Sequence, residues 1–356
     1  MNYKADSLMF EGEIVTRKEH CRICGSFDGI KVAETGFWDL QKSDVAQCRH
    51  CKLVQLDPML TPISTAKGCE AYYLKEISET PEREQIRNLV RNYRRGIVFA
   101  TLLKNKGHNP GKILEFGPGS GYFSAGIKFI FPECEITVAD IVDTVLKLNQ
   151  EIHGYQTIKG SPEDIQLFEG KQFDLIIARD ILEHVTDIGK VIKNIHGLLR
   201  PNGLLHFITP NGKEDVWGHY VNWQLRKTPS ALLINHVNYF DGEGLLEFLI
   251  RSGFRKEEYY TYQVKYRIRG KGWKKSLKLA AGISENESAD EMIKKAGQVS
   301  DSKVFKKDEV LNGFILKTKL KWLIILYCRY KHHWLIHLDP RRNIGHEIHG
   351  LFSKAE

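Results

Sequence analysis

Three glycines at alternate positions, Gly117, Gly119 and Gly121, sit in the stretch Glu115-Phe-Gly-Pro-Gly-Ser-Gly121, between the apolar pair Ile113-Leu114 and a helical pattern from Tyr122 to Phe131. Residues without a Cβ at this spacing let the backbone turn from a buried strand into a helix while a ligand lies against the main chain. Nineteen residues past Gly121, the run Glu135-Ile-Thr-Val-Ala-Asp140 ends in a carboxylate. In a βαβ unit such an acid stands where the two hydroxyls of a ribose are held. Alone, the two features are a tight turn and a surface acid; in this order they predict a nucleoside-bearing ligand. A pyrophosphate is disfavoured, because dinucleotide sites use G-x-G-x-x-G whereas this chain has G-x-G-x-G. Glu115, just ahead of the first glycine, would repel phosphate and suits an ammonium or sulfonium group.

A second set of reactive side chains lies upstream. Cys21-Arg-Ile-Cys24 and Cys48-Arg-His-Cys51 are two C-x2-C knuckles 23 residues apart, while Cys69, Cys134 and Cys328 stand alone. In a cytoplasmic chain this pairing predicts a tetrathiolate zinc site, structural and not catalytic because four thiolates leave no open position for water. Two redox pairs or four unrelated thiols are the competing reading. His20 and His50 flank the knuckles, but four cysteines already complete the tetrahedron.

Taken together, the glycine turn and Asp140 resemble the first two motifs of class I S-adenosylmethionine (SAM) dependent methyltransferases. The resemblance implies that Gly117, Gly119 and Gly121 line the methionine end of SAM, with Glu115 beside it, and that Asp140 takes the ribose. Gly160-Ser-Pro-Glu-Asp164 resembles the loop that brackets the adenine, which adds Ser161, Pro162 and Glu163. Arg179-Asp-Ile-Leu-Glu-His-Val185 is similar to the fourth motif of the family and places Arg179 with the cofactor-binding residues. The cysteine segment, with Ala71-Tyr-Tyr73, resembles the amino-terminal module of bacterial methyltransferases that modify nucleotide sugars, polysaccharides and natural products, including sugar C-methyltransferases. The likeness covers residues 18 to 255. Asn235-His-Val-Asn-Tyr-Phe240 is similar to a family element that sets a histidine beside the acceptor. In the sugar C-methyltransferases this element reads Glu-His; here Asn235 cannot take a proton, so transfer to oxygen or nitrogen is expected. His236 is the first candidate base and His184 the second, since imidazole accepts protons near neutral pH. Asp180 is a candidate to hold the methionine amino group or the acceptor. For each of the three, a backbone hydrogen bond or a helix cap is the plainer alternative.

The elements that must carry these residues follow an α/β order. Phe173-Asp-Leu-Ile-Ile-Ala178 reads as a strand buried on both faces. Val191, Ile192, Ile195, Leu198 and Leu199 mark a helix ending near Arg200-Pro-Asn-Gly203, and a strand follows over Leu204 to Thr209. Alternating β and α with short connections specifies a doubly wound, Rossmann-like parallel sheet. Pro81 to Asn105 carries Ile86, Leu89, Val90, Tyr93, Ile97 and Leu102 on one helical face and is expected to pack the zinc module against the sheet. Asn211 to Phe240 is too long for an ordinary connection. With Trp217, Tyr220, Trp223 and Arg226 it is expected to wall the acceptor site, aromatic rings against a sugar and Arg226 against a phosphate. The expected organisation is a zinc module over 1–70, a helical connector over 71–110, a SAM domain over 111–320 with a helical insertion at 267–310, and a basic aromatic extension over 321–356. Tyr259 to Tyr266 and Gly313 to Lys319 are the expected sixth and seventh strands.

The 356 residues carry a net charge of +8, and from Arg255 onward 22 Lys and Arg face 12 Asp and Glu, leaving the preceding part at −2. The basic charge is therefore localised. Lys321 to Leu338 interleaves aromatics with cations and can lie on an anionic membrane, bind phosphates, or pack on its own chain; packing is preferred. The five histidines from His332 to His349 lack a metal-ligand spacing. Met1 to Glu13 lacks a secretory signal, and the longest apolar run, Trp322 to Cys328, is far short of the roughly 20 residues of a membrane span. A cytoplasmic enzyme acting on a small-molecule or nucleotide-sugar acceptor is expected. An RNA methyltransferase and a non-catalytic SAM-binding scaffold are the alternatives; nucleic acid is disfavoured because the knuckles are not rich in basic and aromatic residues. The sequence is silent on oligomeric state.

Overall fold

Alternation along the central strands decides how the chain is layered. In each of four strands, neighbouring residues enter opposite apolar clusters: Ile113 and Leu114, Leu175 and Ile176, Leu204 and Leu205, Leu351 and Phe352. Successive side chains of a strand point to opposite faces, so a strand apolar at both must be covered on both. A computed structural model describes residues 10, 12–36, 42–62, 66–71, 73, 80–213, 215–216, 220, 223–224, 230–231, 236–262, 323–327 and 346–355, and it has this arrangement.

The large sheet has seven strands. Parallel strands β5 (Lys112–Phe116), β6 (Glu135–Asp140), β7 (Gln156–Lys159), β8 (Phe173–Arg179) and β9 (Leu199–Pro210) are extended by β12 (Phe254–Tyr262) and β13 (Glu347–Lys354), in the order β12-β13-β9-β8-β5-β6-β7. Helices α1 (Glu82–Asn105), α2 (Tyr122–Ile130) and α3 (Asp143–His153) cover one face; α4 (Ile188–Leu198) and α5 (Gly242–Arg251) cover the other. Strand order reverses between β5 and β8, which opens a crevice at the carboxyl edge of the sheet.

The seventh position corrects the sequence expectation. It is filled by β13, from the stretch read as a basic extension, and Gly313 to Lys319 lies outside the described residues, as does the expected insertion at 267–310. Only long-range pairing reveals β13: it runs antiparallel between β9 and β12, with Ile348 opposite Thr209 and Thr261. Within the aromatic stretch beyond Lys321, residues 323–327 are described, and Ile324 joins the apolar cluster of α1 and α2. No helix among the described residues is long and apolar enough to cross a membrane.

The helix α1 forms where expected, but its chief partner is α2 rather than the cysteine module. A Cβ on Gly96 would lie 2.0 Å from the Phe123 carbonyl oxygen, and one on Gly126 would lie 2.2 Å from that of Tyr93. The two backbones therefore touch, which only glycine allows. Tyr93, Ile97, Ala100 and Leu103 are buried along the same contact.

The small sheet is antiparallel through β1 (Glu13–Thr16), β2 (Asp28–Gly36), β3 (Lys42–Cys48) and β4 (Val54–Asp57). It is not confined to the first 70 residues. The long connection after β9 adds β10 (Ser230–Ala231) beside β2 and β11 (Asn238–Tyr239) beside β4.

Candidate functional site

The turn after β5 takes the conformation its glycines permit: φ is 61° at Gly117, 51° at Gly119 and 74° at Gly121, a region L side chains rarely adopt. Gly117 N–H donates to the Ala139 carbonyl at 2.9 Å, which ties the turn to β6. Each glycine answers a different neighbour. A Cβ on Gly117 would strike Ile181, and one on Gly121 would strike Asn149, whereas the space beside Gly119 is open. That space belongs to a cavity of about 1020 Å³ at the carboxyl edge, lined in part by Gly117, Gly119, Asp140, Ser161, Pro162, Glu163, Arg179, Asp180 and His184.

At the end of β6, Asp140 Oδ1 accepts from the Val142 N–H at 2.9 Å, and burial pushes its carboxyl up to about 6. Ile141 and Val142 continue the wall as an apolar patch. In the next loop Glu163 Oε1 accepts from Thr186 Oγ1 at 2.8 Å and from Asp187 N–H at 2.7 Å. Glu163 thus braces the chain leaving His184 as well as lining the cavity. Glu115 and Gly121 are absent from the lining. The Glu115 carboxylate lies beneath the turn, accepts from the Ser124 hydroxyl, and is pushed up to about 7 by burial.

The opposite wall is strained and charged. Asp180 has φ 55° at the end of β8, an outlier of the kind that collects at functional sites. Arg179 lies with its guanidinium 4.0 Å above the Phe123 ring, and its Nη2 donates to Asn92 Oδ1 at 3.3 Å. Asn92, Arg95 and Glu347 also line the cavity. Arg95 pairs with Glu347 at 3.5 Å, and His349 Nε2 donates to the same oxygen at 3.1 Å. Burial opposes ionisation of Glu347, but the His349 hydrogen bond and the Arg95 charge hold it at about 2. These residues escaped sequence reasoning because polar positions on α1 read as a solvated face, and β13 went unrecognised.

The histidines part company. His184 lines the cavity; His236 does not, although their rings meet edge to face at 4.8 Å. His236 is 6% exposed and its Nδ1 donates to Asp215 Oδ2 at 2.6 Å. Burial works against its charge, yet the Asp215 carboxylate outweighs it and pushes the imidazole up to about 9. At neutral pH such a ring holds its proton.

Among the described residues of the long connection after β9, Tyr220 and Trp223 stand away from the cavity, which corrects the expectation for these two rings. Trp223 packs against the small-sheet core with the Lys31 ammonium 5.0 Å from its ring, and Tyr220 packs there against Phe10 at 4.9 Å. Trp217, Arg226 and Asn235 lie outside the described residues.

The four knuckle sulfurs come together as the spacing required. Cys21 and Cys51 Sγ are 3.4 Å apart, as are those of Cys24 and Cys48, and all four ligand atoms lie within 4.8 Å of one another. With metal–sulfur bonds of about 2.3 Å, a tetrahedral zinc thiolate needs sulfurs roughly 3.8 Å apart, so the residues fit the ion. The clustered thiols act on one another: hydrogen bonds from Cys48 and Cys51 hold the Cys21 thiol well below its ordinary range, while those with Cys21 and Cys48 push Cys51 up.

A polar chain joins this cluster to the cavity wall. Arg22 N–H donates to Gln55 Oε1 at 3.1 Å, Gln55 Nε2 donates to Asn238 Oδ1 at 2.8 Å, and Asn238 Nδ2 donates to the carbonyls of Leu182 and Val185 at 3.2 and 2.7 Å. His184 sits between those two carbonyls in sequence.

Residues 84–259 match the family model described as a methyltransferase domain. The chain is 27% identical over 99 residues to malonyl-acyl-carrier-protein O-methyltransferase of Bacillus anthracis, covering 28% of this chain and 37% of that protein. It is 25% identical over 178 residues to the ubiquinone/menaquinone biosynthesis C-methyltransferase of Pasteurella multocida, covering 43% and 64%. The chain thus spans between about a third and two thirds of these curated relatives. Among solved structures, a plantazolicin methyltransferase in complex with a triazolic desmethylPZN analog and SAH overlaps 83% of this chain and 98% of its own, at 11% identity and a TM-score of 0.42. Family match and glycine-turn geometry agree: the chain carries a class I SAM-dependent methyltransferase domain.

Proposed function

We propose that this protein transfers a methyl group from SAM to an oxygen or nitrogen of a small or glycosidic acceptor. The observation that carries the reading is the left-handed glycine turn opening at Gly119 onto a cavity that also holds Asp140 and the Ser161–Glu163 loop. When bound, SAM supplies an electrophilic methyl on a sulfonium. Asp140 would accept from the ribose hydroxyls, Ile141, Val142 and Pro162 would flank the base, and Arg179 with Asp180 would meet the zwitterionic methionine end. Much of the rate in such a transfer comes from holding the acceptor in line with the methyl group.

His184 replaces His236 as first candidate base, since His184 faces the cavity and the paired His236 keeps its proton. Arg91, Arg95 and Lys190 on the walls suit an acceptor bearing carboxylate or phosphate, such as a nucleotide sugar. The four cysteines would hold a structural zinc, in keeping with the burial of Cys21, Cys48 and Cys51 in one apolar cluster with Leu182 and Val185. Calorimetry with SAM, followed by labelled-methyl transfer to a panel of nucleotide sugars and small acids, tests the reading. Micromolar SAM affinity with transfer to at least one acceptor is expected; no SAM binding, or preference for NAD, rejects it.

A further inference from the structure

A second cluster of metal-ligating side chains, besides the cysteines, stands behind the cavity wall. Glu183, His184 and His236 bring one carboxylate oxygen and two ring nitrogens within 4.8 Å of one another. Glu183 is 1% exposed; its Oε2 accepts from Thr209 Oγ1 at 3.0 Å, while its Oε1 is buried without a hydrogen-bond partner. A buried carboxylate oxygen left unsatisfied is destabilising, so its persistence calls for an explanation. The carboxyl groups of Asp180 and Asp215 lie near the same cluster.

We propose that Glu183, His184 and His236 form a site for one divalent first-row transition ion. Glu183 Oε1 supplies the carboxylate ligand, and His236, whose Nδ1 is engaged by Asp215, offers Nε2 once the ion displaces the proton that the ring otherwise carries there. That engagement is the outer-sphere carboxylate that fixes ring orientation at metal-bound histidines. Ligand spacings of this size close onto bonds of about 2.0–2.2 Å with small side-chain rotations. One carboxylate and two imidazoles favour Mn2+, Fe2+, Co2+ or Zn2+ over Mg2+, which prefers oxygen alone. The three residues leave positions for further oxygen ligands, and His184 on the cavity wall connects the ion to the acceptor side, where a Lewis acid polarises a bound hydroxyl. The assignment of His184 as a base in the proposed function would then give way to a ligand role; the metal site itself rests on the cluster and not on methyl transfer.

Full-length protein with its thiolates loaded with zinc is titrated with Mn2+, the free ion being followed by electron paramagnetic resonance. Mn2+ is chosen because the soft tetrathiolate site disfavours it. One Mn2+ per chain is expected, with affinity reduced at least tenfold in Glu183→Gln and in His184→Ala, and about 10–100-fold in Asp215→Asn, which touches no ion directly. His184 is only partly buried, so its truncation leaves a folded protein even if Glu183→Gln does not, and a far-ultraviolet spectrum checks this. Absence of bound Mn2+, or binding unchanged in His184→Ala, overturns the site. Loss of SAM binding by the wild type would instead overturn the methyltransferase reading and leave the Mn2+ count to stand by itself.

Discussion

At Asp140 the fold sets a carboxyl near its titration point and leaves it on the cavity wall. Its value of about 6 lies above the ordinary 3.8, so the unliganded fold is favoured with the proton on, and that contribution is lost as pH rises through 6. Ligand binding has the opposite sign, because the ionised carboxylate accepts hydrogen bonds from a ribose more strongly. SAM affinity measured by calorimetry should therefore rise between pH 5 and 7 in the wild type and stay flat in Asp140→Asn. Asp140→Ala should weaken SAM by about 2–3 kcal/mol, the worth of charge-assisted hydrogen bonds, without unfolding the protein. His236 behaves differently. Its folded value near 9 exceeds the ordinary 6.5, so its ion pair with Asp215 stabilises fully below 6.5 and is lost as pH rises through 9. Without added divalent ions, the Tm of the wild type should fall between neutral pH and about pH 10, and His236→Gln should flatten that fall.

Between elements, the contact of α1 with α2 makes the sharpest demand on sequence. Gly126→Ala pushes a Cβ into the Tyr93 carbonyl, and such overpacking costs about 1–3 kcal/mol, more than the helix-propensity gain of about 1 kcal/mol. Thermal unfolding should show Tm lowered by several degrees. Gly197→Ala in α4 is the control, because nothing lies within 4 Å of its Cβ, and it should hold or raise Tm. The same scale shows what could be read in advance. The glycine turn, Asp140 and the strands β5, β6 and β8 were legible because their signals are local: a run of apolar residues, a turn chemistry, an acid at a fixed distance. The cysteine cluster was legible for the same reason. β13 was not, since Ile348, Leu351 and Phe352 are interrupted by His349 and Gly350, and only pairing with β9 and β12 makes it a strand. Arg95 and Glu347 were missed together, 252 positions apart in sequence and joined only by folding. Tyr220 and Trp223 were given to the acceptor because aromatic type alone does not distinguish a sugar platform from a small-sheet cover.

Across the whole molecule, the cysteine cluster and the cavity wall are joined by packing and by hydrogen bonds. Cys21, Cys48 and Cys51 share an apolar cluster with Leu182, Val185 and Ile188, and the Gln55–Asn238 contact spans 183 residues of sequence. Removing the zinc proposed for the four cysteines should therefore loosen more than the first 70 residues. Hydrogen exchange after chelation is expected to quicken in residues 12–57, at Asn238 and Tyr239, and in the Leu182–Val185 turn, while β5 and β6 keep their protection. Exchange confined to the cysteine module would show that the polar chain transmits nothing.

The placement of β13 also governs how the molecule must be made. β9 ends at Pro210 and its partner begins at Glu347, so on the ribosome an apolar strand waits with one bare edge while more than a hundred further residues are synthesised. At about 5–20 residues per second that exposure lasts on the order of 10 s, ample time for edge-to-edge pairing between nascent chains. β12 emerges earlier, and the final order requires Glu347–Lys354 to lie between it and β9. Sheet completion is thus a late, long-range event, and the yield of folded protein depends on what shields β9 during that interval.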